Sequence, residues 1–150
     1  MNFYTTTSFR ESLAGLTKRN KDGYLTVVKD ICDALANMPD NILRDTNDRV
    51  YQYPEYRVVK LRVMNSGQKL SKPNGFRLIY WVSLVHDCVV LMRIYPKRGS
   101  QAIVDLLNTE YTRLQMELFE ESKANVLHQV DVTNDLVELS QNTCLPGDRH

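Results

Sequence analysis

Paired cysteines, glycine-rich loops, clustered histidines and long apolar runs are all missing from this chain. Each absence removes a class of function. The three cysteines, Cys32, Cys88 and Cys144, lie far apart and form no C-x-x-C. A disulfide framework or a zinc site needs regularly spaced thiols, so neither is expected. Cys32 and Cys88 fall within apolar patterns and read as buried thiols. His86, His128 and His150 stand apart from one another and from any Ser/Asp arrangement. That leaves no candidate metal set and no hydrolytic triad. No glycine-rich phosphate loop occurs. No basic-then-apolar leader opens the chain, and no apolar run approaches a membrane span. The expectation is a reducing, cytoplasmic protein without a membrane partner.

Net charge is nearly absent too, at +1 over 150 residues. Its distribution is uneven. From Arg44 to Arg98 eleven Lys/Arg face four Asp/Glu, a net of +7. From Gly99 to His150 three face nine, a net of −6. Such asymmetry points to a polyanion partner for the middle of the chain. Lysines on sheet edges also deter aggregation, but that use accounts for one or two charges, not eleven.

What is present is a series of short β-type runs. Tyr56–Arg62, Gly75–Tyr80 and Cys88–Arg98 each carry Lys or Arg among apolar residues. Side chains alternate faces along a strand. Lys60 and Arg62 therefore oppose Val59, Leu61 and Val63. Arg77 opposes Phe76, Leu78 and Tyr80. Arg93 and Tyr95 are placed opposite Val90, Met92 and Ile94. The reading is a sheet with one apolar face and one open basic face.

Two helices are the natural cover for the apolar face. Ser8-Phe9-Arg10-Glu11 has the form of a capping box, so a helix should begin near Phe9 and end around Asn20. Asp22 can cap a second, in which Tyr24, Val27, Val28, Ile31 and Leu35 form an apolar stripe that Pro39 stops. The segment from Pro39 to Pro54 reads as polar and irregular. Asn65–Asn74 is a long strand connection, and His86-Asp87 a tight turn. Leu107, Tyr111, Leu114 and Leu118 mark a further helix. One domain over residues 1–121 is expected, followed by an acidic extension over 122–150 that is a short helix or disordered. That extension is either a solvated tail or a segment that lies near the basic face and weakens RNA binding.

The cluster Lys60, Arg62, Arg77, Arg93, Tyr95, Lys97 and Arg98 suits phosphate. It also suits RNA cleavage, because RNA supplies its own nucleophile in the 2′-hydroxyl. Planar, always charged guanidinium groups match the crowded phosphorane. A lysine among other cations loses its proton more readily and can act as a base. A tyrosine can act as acid, base or stacking platform.

The order strand–helix–helix–strand–strand–strand–helix resembles the RelE/ParE superfamily of bacterial toxins. So do the Lys60-Leu61-Arg62 strand, the Gly75-Phe76-Arg77-Leu78-Ile79-Tyr80 strand and the ending Ile94-Tyr95-Pro96-Lys97-Arg98. The nearest look is to RelE-like and HigB-like messenger-RNA interferases, over roughly Met1 to Phe119. The resemblance implies a small α+β fold: an antiparallel sheet, two N-terminal helices on one face, and a C-terminal helix. It implies ribosome-dependent cleavage of messenger RNA that leaves a 2′,3′-cyclic phosphate, with no metal and no organic cofactor. It also implies a cognate antitoxin. Carried over by position, Lys60, Arg77 and Arg98 are catalytic. Lys60 is the candidate base, and the two arginines stabilise the transition state. Tyr95 or Tyr111 substitutes for a family tyrosine whose position holds Val104, and Val58 stands where the family has another lysine. Arg62, Lys72, Arg93 and Lys97 are expected to bind RNA. The alternatives are a ParE-like gyrase inhibitor that cleaves nothing and a degenerate member that only binds RNA or antitoxin.

Overall fold

Phe76–Ser83 is buried along its whole length. A strand apolar on both faces needs cover on both. The computed structural model of the chain, which describes residues 1–18, 23–46 and 48–139, meets that need with helices on either side. In chain order the elements are β1 (Asn2–Thr5), α1 (Thr7–Thr17), α2 (Val27–Ala36), α3 (Asp40–Arg44), β2 (Arg49–Gln52), β3 (Tyr56–Val63), β4 (Phe76–Ser83), β5 (Cys88–Pro96), α4 (Asn108–Lys123), β6 (His128–Asp131) and β7 (Val137–Glu138). The strands make one sheet in the order β2-β3-β4-β5-β1-β6-β7. Neighbours are antiparallel except β1 and β5, which run parallel.

The α+β class is as expected, but the small antiparallel sheet is not. The sheet has seven strands and is mixed. One face packs against α1 and α2 through Phe9, Leu16, Val27, Ile31 and Leu35, which meet Val59, Leu61, Leu78, Tyr80 and Leu91. The other face is not open. Tyr4, Ile79, Trp81, Val90, Met92 and Tyr95 on it pack with Tyr111, Leu114 and Leu118 of α4. For Val90 and Met92, simple alternation missed this because of a β-bulge in β5. Ile79 pairs with Arg93 while Tyr80 pairs with Leu91, which leaves Met92 as the extra residue. Val90 and Met92 therefore share a face with Arg93 and Tyr95, and only Ile94 stays opposite them.

Local chemistry also moves several boundaries. Thr6, not Ser8, caps α1: its side chain accepts from the Phe9 N–H at 3.2 Å. Ser8 sits in the first turn, where its N–H and that of Thr7 donate to Glu117 and Glu121 of α4 at 3.3 and 3.0 Å. Carboxylates suit the positive end of a helix. Helix α2 starts at Val27, with Tyr24 in the turn before it. Asn20 and Asp22 lie outside the described residues. Pro39 ends α2 but also precedes the short α3, and β2 adds an edge strand in the stretch read as irregular. Gly75 is required where it stands, because an added Cβ would meet the Val63 carbonyl oxygen at 2.0 Å.

The segment after residue 121 is part of the domain as far as residue 139. Rather than a short helix or a disordered tail, it adds β6, which pairs with β1, and β7, which pairs with β6. Leu127, Val130 and Val132 are buried in the core. Residues 140–150, Cys144 among them, lie outside the described residues. Cys32 and Cys88 are buried free thiols, and burial pushes the Cys88 thiol up to about 12.

Candidate nucleic-acid interface

The registers of β3, β4 and β5 gather the basic residues at one corner of the sheet, on the α4 side. Arg62 pairs across to Arg77 and Arg77 to Tyr95; in the next row Lys60 pairs to Ile79 and Ile79 to Arg93. Strands lie about 4.8 Å apart, so each row crosses three strands in about 10 Å. Lys97 and Arg98 follow directly after β5. The sheet thus brings together seven of the eight candidate residues. The eighth, Lys72, instead lines a groove bordered by Asp33 and Ala34 of α2 and by Met38 just after it.

The residues differ sharply in what they are free to do. Arg77 is only 7% exposed, and its guanidinium donates to the carbonyls of Lys72, Phe76 and Pro73 at 3.0, 3.2 and 3.0 Å. It pins the β3–β4 connection. Burial, then the nearby charge of Arg62, lowers its affinity for its proton. Arg93 donates to Glu110 at 2.7 Å, and Glu110 also holds Arg113 at 2.8 Å. The Arg113 hydrogen bond in particular keeps the Glu110 carboxyl below its usual range. Arg62 is exposed and donates to no acceptor among the described residues. Arg98 is exposed and donates to Asn74 Oδ1 at 3.2 and 2.6 Å. Lys60 reaches Asp105 at 3.4 Å.

Residues 99–107, between β5 and α4, form a strap over this corner. Tyr24 anchors its start: the hydroxyl donates to the Arg98 carbonyl at 2.9 Å and accepts from the Gln101 N–H at 3.0 Å. The Ile103 N–H donates to the Pro96 carbonyl at 3.1 Å. Further along, Val104 offers its carbonyl to Lys97 Nζ, and Asp105 faces Lys60. Sequence reasoning missed Asp105 and Glu110 because both belong to the acidic stretch after Gly99. Only the fold brings that stretch back over the basic one.

Lys97 holds its proton less firmly than an ordinary lysine does. Partial burial lowers its pKa first, and Arg77, Lys60 and Arg98 lower it further against the opposing charge of Asp105. Tyr95 moves the other way: it is 2% exposed, and burial pushes its phenol up to about 12. It stays protonated at neutral pH and can donate but not act as a base. Tyr111 of α4 brings a buried hydroxyl without a partner among the described residues to the same corner, and burial raises its pKa as well.

The corner can therefore hold an anion against Arg62, Arg98 and Lys60, with the fixed charge of Arg77 behind them and an amine of lowered basicity beside them. Among the described residues no group of His, Cys, Asp or Glu is arranged to hold a metal ion, and no helix is long and apolar enough to cross a membrane. No family model, curated protein or solved structure matches the chain.

Proposed function

We propose that this chain is the toxin of a toxin–antitoxin pair, a ribosome-dependent messenger-RNA endonuclease that needs no metal. The observation that supports this reading best is the convergence of Lys60, Arg62, Tyr95, Lys97 and Arg98 around the buried charge of Arg77. In the proposed reaction the substrate 2′-oxygen attacks the adjacent phosphorus. The P–O2′ bond forms and the P–O5′ bond breaks, leaving a 2′,3′-cyclic phosphate and a 5′-hydroxyl.

In this proposal the roles within the cluster differ from those the resemblance implies. Lys97 replaces Lys60 as the base. Its neutral amine can donate one N–H to the Val104 carbonyl and still accept the 2′-hydroxyl proton on its lone pair. Arg62 and Arg98 hold the phosphorane oxygens, and Lys60 adds charge once Asp105 is displaced. Tyr95, protonated and close to Arg77 and Arg93, is the donor available to the leaving 5′-oxygen. Arg77 is a positioning residue.

Expression in bacteria followed by mapping of messenger-RNA ends tests the proposal. Translation should stop, new 5′-hydroxyl ends should appear within translated messages, and Lys97→Met should abolish both. Continued translation with DNA damage and filamentation would replace this reading with gyrase inhibition. A third outcome, RNA or antitoxin binding without cleavage, is favoured by one observation: Asp105 and Glu110 already neutralise Lys60 and Arg93. That outcome would make the chain a binding member only.

A further inference from the structure

Away from the basic corner, a second feature lies between α4 and the sheet. A cavity of about 290 Å³ is lined by Tyr56, Trp81 and Phe119, with Glu55, Ser83 and His86 among its polar residues. Such a volume is at the lower end for small-molecule sites. It suits a planar ring better than a whole nucleotide. Three aromatic rings form its wall. The Tyr56 and Trp81 centroids are 5.4 Å apart, Tyr56 and Phe119 5.8 Å, and Trp81 and Phe119 6.4 Å. Aromatic walls of this kind stack nucleobases whatever their sequence.

Two polar groups on residues lining the cavity have no partner among the described residues. Trp81 is 5% exposed, and its indole N–H, a donor only, finds no acceptor. A buried donor left unpaired is rare and calls for an acceptor, which a water or a ligand can supply. Glu55 is exposed in the turn before β3, held by its backbone carbonyl, which accepts from the Leu84 N–H at 2.9 Å. Its carboxylate accepts from no donor among the described residues and can take two adjacent N–H groups. Guanine offers that pair at N1 and N2, with carbonyl and N7 acceptors on its other edges. Adenine and cytosine set a donor beside an acceptor on the edge they would present, and so leave one carboxylate oxygen facing a lone pair.

We infer that this cavity is a binding site for a guanine base. The inference rests on the RNA reading above and extends it. Tyr56 and Lys60 lie on the same strand and face the same side, four residues or about 13 Å apart. One short RNA segment can therefore lay a base in the cavity and a phosphate on the basic corner. The cavity would choose which messages are cut, through a guanine near the cleaved bond.

Trp81 is the only tryptophan in the chain, so its fluorescence reports this cavity alone. The test titrates the full chain with 5′-GMP, 5′-AMP and 5′-CMP, whose common phosphate cancels any contribution from the basic corner. GMP should quench saturably and bind at least tenfold tighter than AMP or CMP. Glu55→Gln should remove that preference while leaving the far-UV spectrum unchanged, because the side chain is exposed. Phe119→Ala should weaken all three nucleotides. The same response to all three, or none at millimolar concentration, overturns the inference. So does a response to tetramethylammonium that GMP does not compete away, since the aromatic walls and Glu55 would then form a cage for organic cations. No ribosome and no cleavage enter the measurement. A protein that binds GMP but cuts no RNA would refute the endonuclease reading alone.

Discussion

Replacing Arg77 with Ala should cost folding stability as well as activity, and the stability loss is the larger statement. The guanidinium makes three bonds to backbone carbonyls from a site 7% exposed. A hydrogen bond from a charged donor contributes about 1.5–3 kcal/mol. The full sum is not expected, for two reasons. Lys72 and Pro73 are exposed, so their carbonyls can rehydrate, and removing Arg77 relieves its repulsion with Arg62. A net loss of about 3 kcal/mol remains. For a domain of this size that lowers the melting midpoint by roughly 6–12 °C. Arg77→Lys keeps the charge but loses the planar fork, and should fall between the two. Thermal denaturation followed by far-UV circular dichroism measures both variants. The opposite pattern would refute the reasoning: Arg77→Ala melting within about 1 °C of the parent while losing cleavage entirely. Arg77 would then be a transition-state group whose carbonyl bonds contribute nothing.

Two further outcomes follow from the same structure. Because the Lys97 pKa is lowered from 10.5, its neutral form grows as pH rises, so the cleavage rate should climb with pH with its midpoint below 10.5; Lys97→Arg should be slow and flat, and an unchanged profile in that variant would remove Lys97 as the base. A chain ending at Lys123 should be largely unfolded, since it loses the β1–β6 pairing and the buried Leu127, Val130 and Val132. Each such side chain contributes about 1.5–3 kcal/mol, and their sum approaches a typical total of about 5–15 kcal/mol. A cooperative melt near that of the parent would contradict this.

The sequence made some of this legible and hid the rest for definable reasons. Strands β3, β4 and β5 could be read because alternation and turn residues are local signals. The α2 and α4 stripes were visible because Val27, Ile31 and Leu35, and Tyr111, Leu114 and Leu118, repeat at helical spacing and are buried as a set. The facing of Val90 and Met92 was not legible, because a single extra residue reverses the side on which everything after it points. Strand β6 was missed because four residues, His128–Asp131, carry almost no pattern of their own. It exists because β1 offers an unpaired edge, and that is a tertiary fact. At the candidate site, the positions of the cations were legible and their partners were not. Arg77 carries the same charge whether it faces a phosphate or three carbonyls.

The basic middle of the chain is therefore not an open basic face, and the difference lies in how firmly each cation is held. Arg77 and Arg93 are fixed by several short bonds in partly or fully buried positions. Removing a partner from such a pair leaves an uncompensated charge, which costs several kcal/mol. A phosphate does not offset that cost at Arg93, where Glu110 also serves Arg113. Lys60 is different. Its pair with Asp105 is long, at 3.4 Å, and Asp105 is 63% exposed. Exposed pairs of this kind contribute about 0–1 kcal/mol, so a phosphate can take the place of Asp105 at little cost. The strap then acts as a weak competitor, one that an RNA held at a second point displaces and a stray anion does not. Lys60, Arg62, Lys97 and Arg98 are the charges left to face the substrate. Four cations around one fixed guanidinium suit a single phosphodiester better than a long duplex. Under the function proposed above, that fits an enzyme relying on the ribosome to present its message better than one that tracks nucleic acid by charge alone.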